Sequence, residues 1–111
     1  MPFDTPINAT DASFERAVLR APLPAVAVFW SPRETPRGEL DAVLDRAARA
    51  YAGEIMVVRL DVNDAPDARA RYNVERLPQF LFFRDGKLVA RARGVPSMKA
   101  LRPWIEYLLE R

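Results

Sequence analysis

The side chains that could perform chemistry in this sequence are mainly carboxylates and guanidiniums, because cysteine and histidine are both absent. Their absence excludes thiolate nucleophiles, disulfide exchange, cysteine/histidine zinc sites and histidine-based proton transfer. The remaining acids show no calcium-loop spacing. Two carboxylate pairs, Glu34 with Asp61 and Asp64 with Asp67, have no glycine-rich phosphate loop beside them, so we interpret them as surface charges. We therefore predict no cofactor and no metal.

Arginine dominates the basic residues, with fifteen arginines and two lysines, yet the formal net charge is only +2. No block of like charges forms the basic arm that is typical of nucleic-acid binding, so we predict no nucleic-acid partner. The excess of arginine, alanine and proline is typical of a GC-rich bacterial genome.

Length and composition predict one domain over residues 1–111 with a modest core. Hydrophobic residues make up 50% and charged residues 29%, which is ordinary for a globular protein. The longest apolar run, Ala25–Trp30, is too short to cross a bilayer, and residues 1–11 lack the apolar segment of a signal peptide. We therefore expect a cytoplasmic protein without a membrane partner.

The hydrophobic pattern predicts elements in the order α-β-α-β-α-β-β-α, with a short leading strand near residues 3–7. Thr10 is expected to cap a first helix with Phe14 and Val18 on its inner side. The unbroken apolar run Ala25–Trp30 indicates a strand that is covered on both faces.

A second helix is predicted to start at Thr35 and Pro36, as its N-cap and first helical residue. Gly53 is expected to end it. Its inner face has the spacing of an amphipathic helix and consists of Leu40, Val43, Leu44, Ala47, Ala48 and Tyr51.

The second half of the chain predicts a buried strand at residues 55–62 and a short helix at residues 64–72. Two further strands, Gln79–Arg84 and Lys87–Arg93, flank Asp85-Gly86, which is a strong hairpin signal. These elements predict an α/β fold, in which a mixed four- to five-stranded sheet is sandwiched by helices.

A last helix is expected after Ser97, which can cap it. Pro103 lies within this pattern and should bend the helix or mark a later start. The residues predicted to face inward are Met98, Leu101, Trp104, Ile105, Leu108 and Leu109.

These segments, in this order, resemble the thioredoxin family. Phe29-Trp30, a four-residue turn with proline in third place and an amphipathic helix are similar to the family's strand–CGPC–helix corner. Residues 59–66 resemble its third strand and short helix, and residues 72–78, YNVERLP, resemble its cis-proline loop. Residues 82–87 with Arg93-Gly94 resemble its terminal hairpin. The resemblance covers residues 25–110 without a gap and implies the thioredoxin fold.

The residues that carry the family's chemistry are replaced. Glu34 and Arg37 stand at the two redox-cysteine positions, with Thr35 and Pro36 between them. Val28 stands where the resemblance implies a buried aspartate, and Arg33 stands in place of a tryptophan. Because disulfide exchange requires a thiolate and a resolving thiol, we predict that the chain is not an oxidoreductase.

The turn itself suggests a structural hypothesis. A helix N-terminus favours an anion, and Glu34 would place one there. Arg37, three residues on, could reach back to it, so we hypothesise an exposed Glu34–Arg37 ion pair that replaces the disulfide as a local link.

The resemblance also implies a protein-binding groove. It implies that Pro78 is preceded by a cis bond and that the backbone of Leu77 pairs with an extended segment of a partner. Alternatively, the cis bond only shapes the start of the next strand. The groove residues implied are Arg33, Glu34, Arg37, Arg76, Leu77, Pro78, Arg93 and Gly94.

Four arginines on this groove suit an acidic or phosphorylated protein or peptide. The alternative, which the arginine-rich composition favours, is a set of solvated surface charges. Aromatic residues do not interleave with them, as they would in a nucleic-acid site. We predict that the aromatic residues form the core instead: Trp30, Phe80, Phe82, Phe83 and Trp104.

The sequence thus favours a redox-inactive thioredoxin-like protein that binds another protein as an adaptor or chaperone-like assembly factor. The alternative is a divergent family member that is linked to redox homeostasis only through a cysteine-bearing partner. An enzyme without thiols, using Glu34 and the arginines, is a third class. Monomer and weak homodimer are both open.

Overall fold

The fold is a five-stranded mixed sheet with helices on both faces, in a computed structural model that describes residues 4–110. The predicted α/β class is confirmed. The leading strand, predicted near residues 3–7, lies at Ile7–Ala9 and so begins later than predicted, and residue 3 is outside the described residues. The elements are β1 (Ile7–Ala9), α1 (Asp11–Phe14, continued by a π-helical turn over Glu15–Leu19), β2 (Ala25–Trp30), α2 (Arg37–Ala50), β3 (Met56–Asp61), α3 (Pro66–Arg71), β4 (Gln79–Arg84), β5 (Lys87–Arg93) and α4 (Met98–Leu109).

The strand order is β1-β3-β2-β4-β5, with β2 at the centre. Strands β1, β3 and β2 run parallel, whereas β4 is antiparallel to β2 and β5 is antiparallel to β4. All six residues of β2 are buried, which is the reason for its unbroken apolar run. No helix within residues 4–110 has the length and apolarity needed to cross a bilayer.

Each face of the sheet carries its own hydrophobic core, because alternate residues of a strand point to opposite faces. The face under α2 and α4 buries Val28, Trp30, Leu44, Phe80, Phe82 and Ile105, among others. The opposite face, under α1 and α3, buries Phe14, Phe29, Leu60, Leu81 and Phe83, among others.

The predicted hairpin between β4 and β5 is confirmed. Asp85 and Gly86 both have positive φ, at 53° and 77°, as a two-residue primed turn requires. Glycine is needed at the second position, because a Cβ there would lie 2.7 Å from the carbonyl oxygen of Leu19. The turn therefore packs closely against the end of the first helix.

A β-bulge interrupts the hairpin shortly after the turn. Phe83 pairs with Leu88, but Phe82 pairs with Ala90, so Val89 is an extra residue in β5. A single inserted residue changes which face the following side chains reach. In this hairpin it sends Ala90 toward the core under α2 and α4.

The start of α2 differs from the prediction. The helix begins at Arg37 after Pro36, one residue later than expected. Thr35 is buried and is not the N-cap, because its Oγ1 accepts a hydrogen bond from the N–H of Ser31 at 3.0 Å. A side chain that closes the preceding turn is not available to cap the helix.

The last helix begins at Met98, so a later start at Pro103 is wrong. Ser97 caps it as predicted, since Ser97 Oγ accepts a hydrogen bond from the N–H of Ala100 at 3.2 Å. Trp104 is not a core residue: it is 38% exposed and stacks on Phe82, with ring centroids 5.5 Å apart. One face of its ring covers the core while the rest meets solvent.

Candidate functional site

Three chain segments meet at one end of the sheet. Phe29 of β2 pairs with Gln79 of β4, and Gln79 pairs with Arg93 of β5. The turn after β2, the loop before β4 and the residues after β5 are therefore neighbours. The N–H of Gly94 also donates to the carbonyl oxygen of Pro78 at 3.0 Å. The candidate site is built from these three segments.

The turn after β2 is held by its own hydrogen bonds. The carbonyl oxygen of Ser31 accepts from the N–H groups of Glu34 and Thr35, at 3.2 and 2.9 Å. The N–H of Arg33 donates to Ser31 Oγ at 3.2 Å. Arg33 and Glu34 are exposed, while Ser31 and Thr35 are buried. The turn thus presents charged side chains to solvent and has no thiol.

The hypothesised Glu34–Arg37 ion pair is wrong. Arg37 Nε donates to Asp41 Oδ2 at 3.3 Å, and the guanidinium lies over the ring of Trp30, 5.1 Å from its centroid. Within the described residues Glu34 forms no ion pair. Arg37 pairs with Asp41 and not with Glu34, because Asp41 lies one turn further along the same helix whereas Glu34 precedes the helix.

A charge network behind the turn was not predicted. Arg59 of β3 lies beside Val28 in the sheet. Its guanidinium forms an ion pair with Asp41 of α2, and its Nε donates to Oδ1 of Asn8 in β1 at 3.0 Å. The side chain of Arg59 is only 17% exposed. The residue beside Arg59 in the sheet, Val28, has no charge. The carboxylate that pairs with Arg59 is therefore supplied by α2. An arginine inside an apolar strand was the signal, since a charge there needs a partner.

The loop before β4 leaves backbone groups free. The bond between Leu77 and Pro78 is cis. In the described part of the chain, neither the N–H nor the carbonyl of Leu77 has a hydrogen-bond partner. Arg69 fixes the loop from behind, as its Nε donates to the carbonyl of Val74 at 2.8 Å and its Nη2 to that of Glu75 at 3.3 Å. The loop is anchored at one end and open at Leu77.

A cavity of about 410 Å³ lies beside this loop, on the sheet face that α1 and α3 cover. Gln79, which is 5% exposed, forms its floor: Nε2 donates to the carbonyl of Arg76 at 3.4 Å, and Oε1 accepts from Arg91 Nη1 at 3.0 Å. The lining residues are Asn73, Glu75, Arg76, Gln79, Arg91, Ala92 and Arg93.

Only two of the four arginines predicted to lie on the groove line this cavity. Arg76 and Arg93 line it together, whereas Arg33 lies in the turn after β2 and Arg37 begins α2, and neither lines it. Arg91 joins the first pair, although sequence reasoning missed it. Its signal was the spacing of Arg91 and Arg93, two residues apart in a strand and hence on one face. Across residues 4–110, no group of three acidic residues could hold a metal ion.

Comparison with known proteins gives one consistent result. The thioredoxin family model matches residues 5–107. Thioredoxin C-2 of Corynebacterium nephridii is 32% identical over 92% of this chain and 94% of its own length. The thioredoxins of Pseudomonas aeruginosa and Porphyra purpurea are 33% and 34% identical, over 90% and 85% of this chain and 93% and 88% of their own lengths. Although it has no cysteine, this chain belongs to the thioredoxin family.

Proposed function

We propose that this chain is a redox-inactive family member that binds an extended segment of another protein, as an adaptor or chaperone-like assembly factor in the cytoplasm. A dithiol enzyme attacks its substrate with a thiolate and resolves the mixed disulfide with a second thiol. The sequence contains no sulfur other than its three methionines. With thiol chemistry excluded, the proposed role of the groove is binding alone, and it requires no cofactor, nucleic acid or membrane.

The observation that carries this proposal is the free backbone of Leu77. An unpaired N–H and carbonyl beside an ordered strand can pair with an extended peptide, as in other cases of strand addition. Leu77 is half-buried and packs its side chain on the core under α1 and α3, so its backbone is held in place. Pre-ordered backbone groups lower the entropic cost of binding.

The charges around Leu77 support an acidic partner. Arg33 and Glu34 are exposed on the turn after β2. Arg76, in the loop before β4, and Arg93, at the end of β5, are exposed as well. Arginines outnumber acids here, and guanidiniums bind carboxylates and phosphates with two parallel hydrogen bonds.

Affinity capture from a lysate of the native host tests the proposal. Wild-type protein is compared with an R33Q/R76Q/R93Q variant and with a charge-matched R16Q/R46Q/R49Q control, whose arginines are exposed and lie outside the groove. We expect wild type and the control to recover the same partner and the groove variant to lose it. Equal recovery by all three would contradict the proposal.

An insulin-reduction assay tests the absence of redox activity separately. We expect no turnover above that of the chemical reductant alone, because no residue of the chain can form a mixed disulfide. Catalysed turnover by the purified chain would overturn the redox-inactive part of the proposal.

A further inference from the structure

The cavity beside the Pro78 loop holds more positive charge than its own acid balances. Arg76, Arg91 and Arg93 contribute three positive charges and Glu75 one negative charge, which leaves a formal charge of +2. Within residues 4–110, none of these three arginines forms an ion pair. Three guanidiniums converging on one space without a counter-charge repel one another unless an anion joins them.

The cavity is also ordered before any ligand arrives. Arg91 is held by its bond to the buried Gln79, and that bond uses only one of its five N–H donors. The carbonyl of Arg76 accepts from the same Gln79 side chain, so Gln79 links the side chain of Arg91 to the backbone of Arg76. The adjoining loop is fixed by Arg69. These hydrogen bonds hold Arg91 and the adjoining loop in place at the wall of the cavity.

We infer that this cavity binds the phosphoryl group of a phosphorylated peptide. A phosphoserine or phosphothreonine carries about −1.5 to −2 charges at neutral pH and three acceptor oxygens, which matches the charge of +2. A single carboxylate would leave one positive charge unbalanced. The inference rests on the proposed peptide-binding function and specifies its partner as a phosphorylated segment, because the cavity adjoins the free backbone of Leu77.

Fluorescence anisotropy with three labelled peptides tests the inference. The peptides are identical except for a central serine, phosphoserine or glutamate, and ionic strength is held constant. We expect the phosphoserine peptide to bind about tenfold or more tightly than the serine peptide, as one or two charge-assisted hydrogen bonds provide. The glutamate peptide should fall between them.

Variants then assign the effect to the cavity. R93Q, which removes no hydrogen bond within the fold, should reduce the preference for phosphoserine about tenfold, and R91Q should do the same. E75Q should raise the affinity for the phosphopeptide, because it removes the only negative charge that lines the cavity. R16Q, a matched control on an exposed site elsewhere, should change nothing.

Equal affinity for the three peptides, or an equal loss in R16Q and R93Q, would overturn the inference. Binding of all three peptides without preference would leave the proposed peptide-binding function intact, so the two proposals fail separately. Competition by inorganic phosphate alone, equal to that by the phosphopeptide, would mean that the cavity recognises the free anion and would overturn the peptide assignment.

Discussion

Arg37 at the start of α2 and Arg59 in β3 show that the surroundings decide what an arginine does. Arg37 is 64% exposed and rests on Trp30, whereas the side chain of Arg59 is 17% exposed beneath the helix. Both pair with Asp41, so a single carboxylate serves an exposed and a largely buried guanidinium. Glu34 stands outside this network. Asp41 is therefore the carboxylate that pairs with both arginines, Arg37 and Arg59.

Neutralising Asp41 should cost more stability than neutralising Glu34 or Arg37. We expect D41N to lower the free energy of unfolding by about 1–3 kcal/mol, because it leaves Arg59 without its carboxylate. E34Q and R37Q should each cost less than about 1 kcal/mol, since both residues are exposed. Urea denaturation measures all three. A loss in D41N no larger than in E34Q would show that the network contributes little.

Tyr51 predicts how stability changes at alkaline pH. Its hydroxyl donates to Glu106 Oε2 at 2.9 Å, and burial, followed by this hydrogen bond, raises the pKa of the phenol. The phenol therefore contributes stability that is complete below its unfolded pKa of about 10 and is lost as pH rises toward the higher folded pKa. Above about pH 10, the free energy of unfolding of Y51F should fall less steeply with pH than that of wild type. Parallel curves would contradict the assignment.

At the scale of the elements, the short helix α3 depends on a residue from another element. Its own N-cap, Ala65, has no side-chain acceptor. Instead, the two carboxylate oxygens of Asp11 in α1 accept from the N–H groups of Asp67 and Ala68, both at 2.9 Å. A helix of six residues is too short to be stable alone, so this cap ties its formation to that of α1.

Removing that cap should destabilise the protein by about 1 kcal/mol, within the range of about 0.5–2 kcal/mol for such caps. We expect D11A to show this loss and to speed amide exchange at residues 67 and 68. D67A removes a nearby exposed acid but no cap, and should have a smaller effect. If D11A and D67A lose equal stability with equal exchange rates, Asp11 does not act as the cap.

Local sequence signals predicted the elements and missed contacts between distant segments. β2 was predicted with its observed bounds, and so was the hairpin, because an apolar run and Asp85-Gly86 are local features. Trp104 was misplaced because it stacks on Phe82 of another element. Thr35 was misplaced for a local reason, because its hydroxyl accepts from the N–H of Ser31, four residues earlier, instead of capping the helix. Nothing local in the sequence links Asp41 to Arg59, with which it forms an ion pair.

The candidate site could be predicted in part for the same reason. The resemblance located the loop at Leu77 and the replaced cysteine positions at Glu34 and Arg37. It did not reveal that Arg76 and Arg93 share a cavity with Arg91, since that depends on the pairing of β5 with β4. Nor did it reveal the buried Gln79, which orders that cavity.

At the scale of the whole molecule, the edges of the sheet predict a monomer. The outer strand β5 carries Lys87, Arg91 and Arg93, all exposed, and the other edge strand has only three residues. Two copies that paired through β5 would bring like charges together, and a short edge offers few hydrogen bonds. We expect light scattering to give the mass of one chain at micromolar concentration. A dimer that survives low salt would contradict this argument.

The extra residue Val89 has a consequence for the whole charged end of the molecule. With it, Arg91 lies opposite Leu81 and Arg93 opposite Gln79. If Val89 instead paired with Phe82 without a bulge, Arg91 would lie opposite Phe80, and the alternation of side chains would turn both guanidiniums inward beneath α4. Ala90 and Ala92 would then take the positions opposite Leu81 and Gln79 that the two arginines now hold. The bulge at Val89 thus sets which face of β5 carries the arginines and which face carries the alanines that pack on the core.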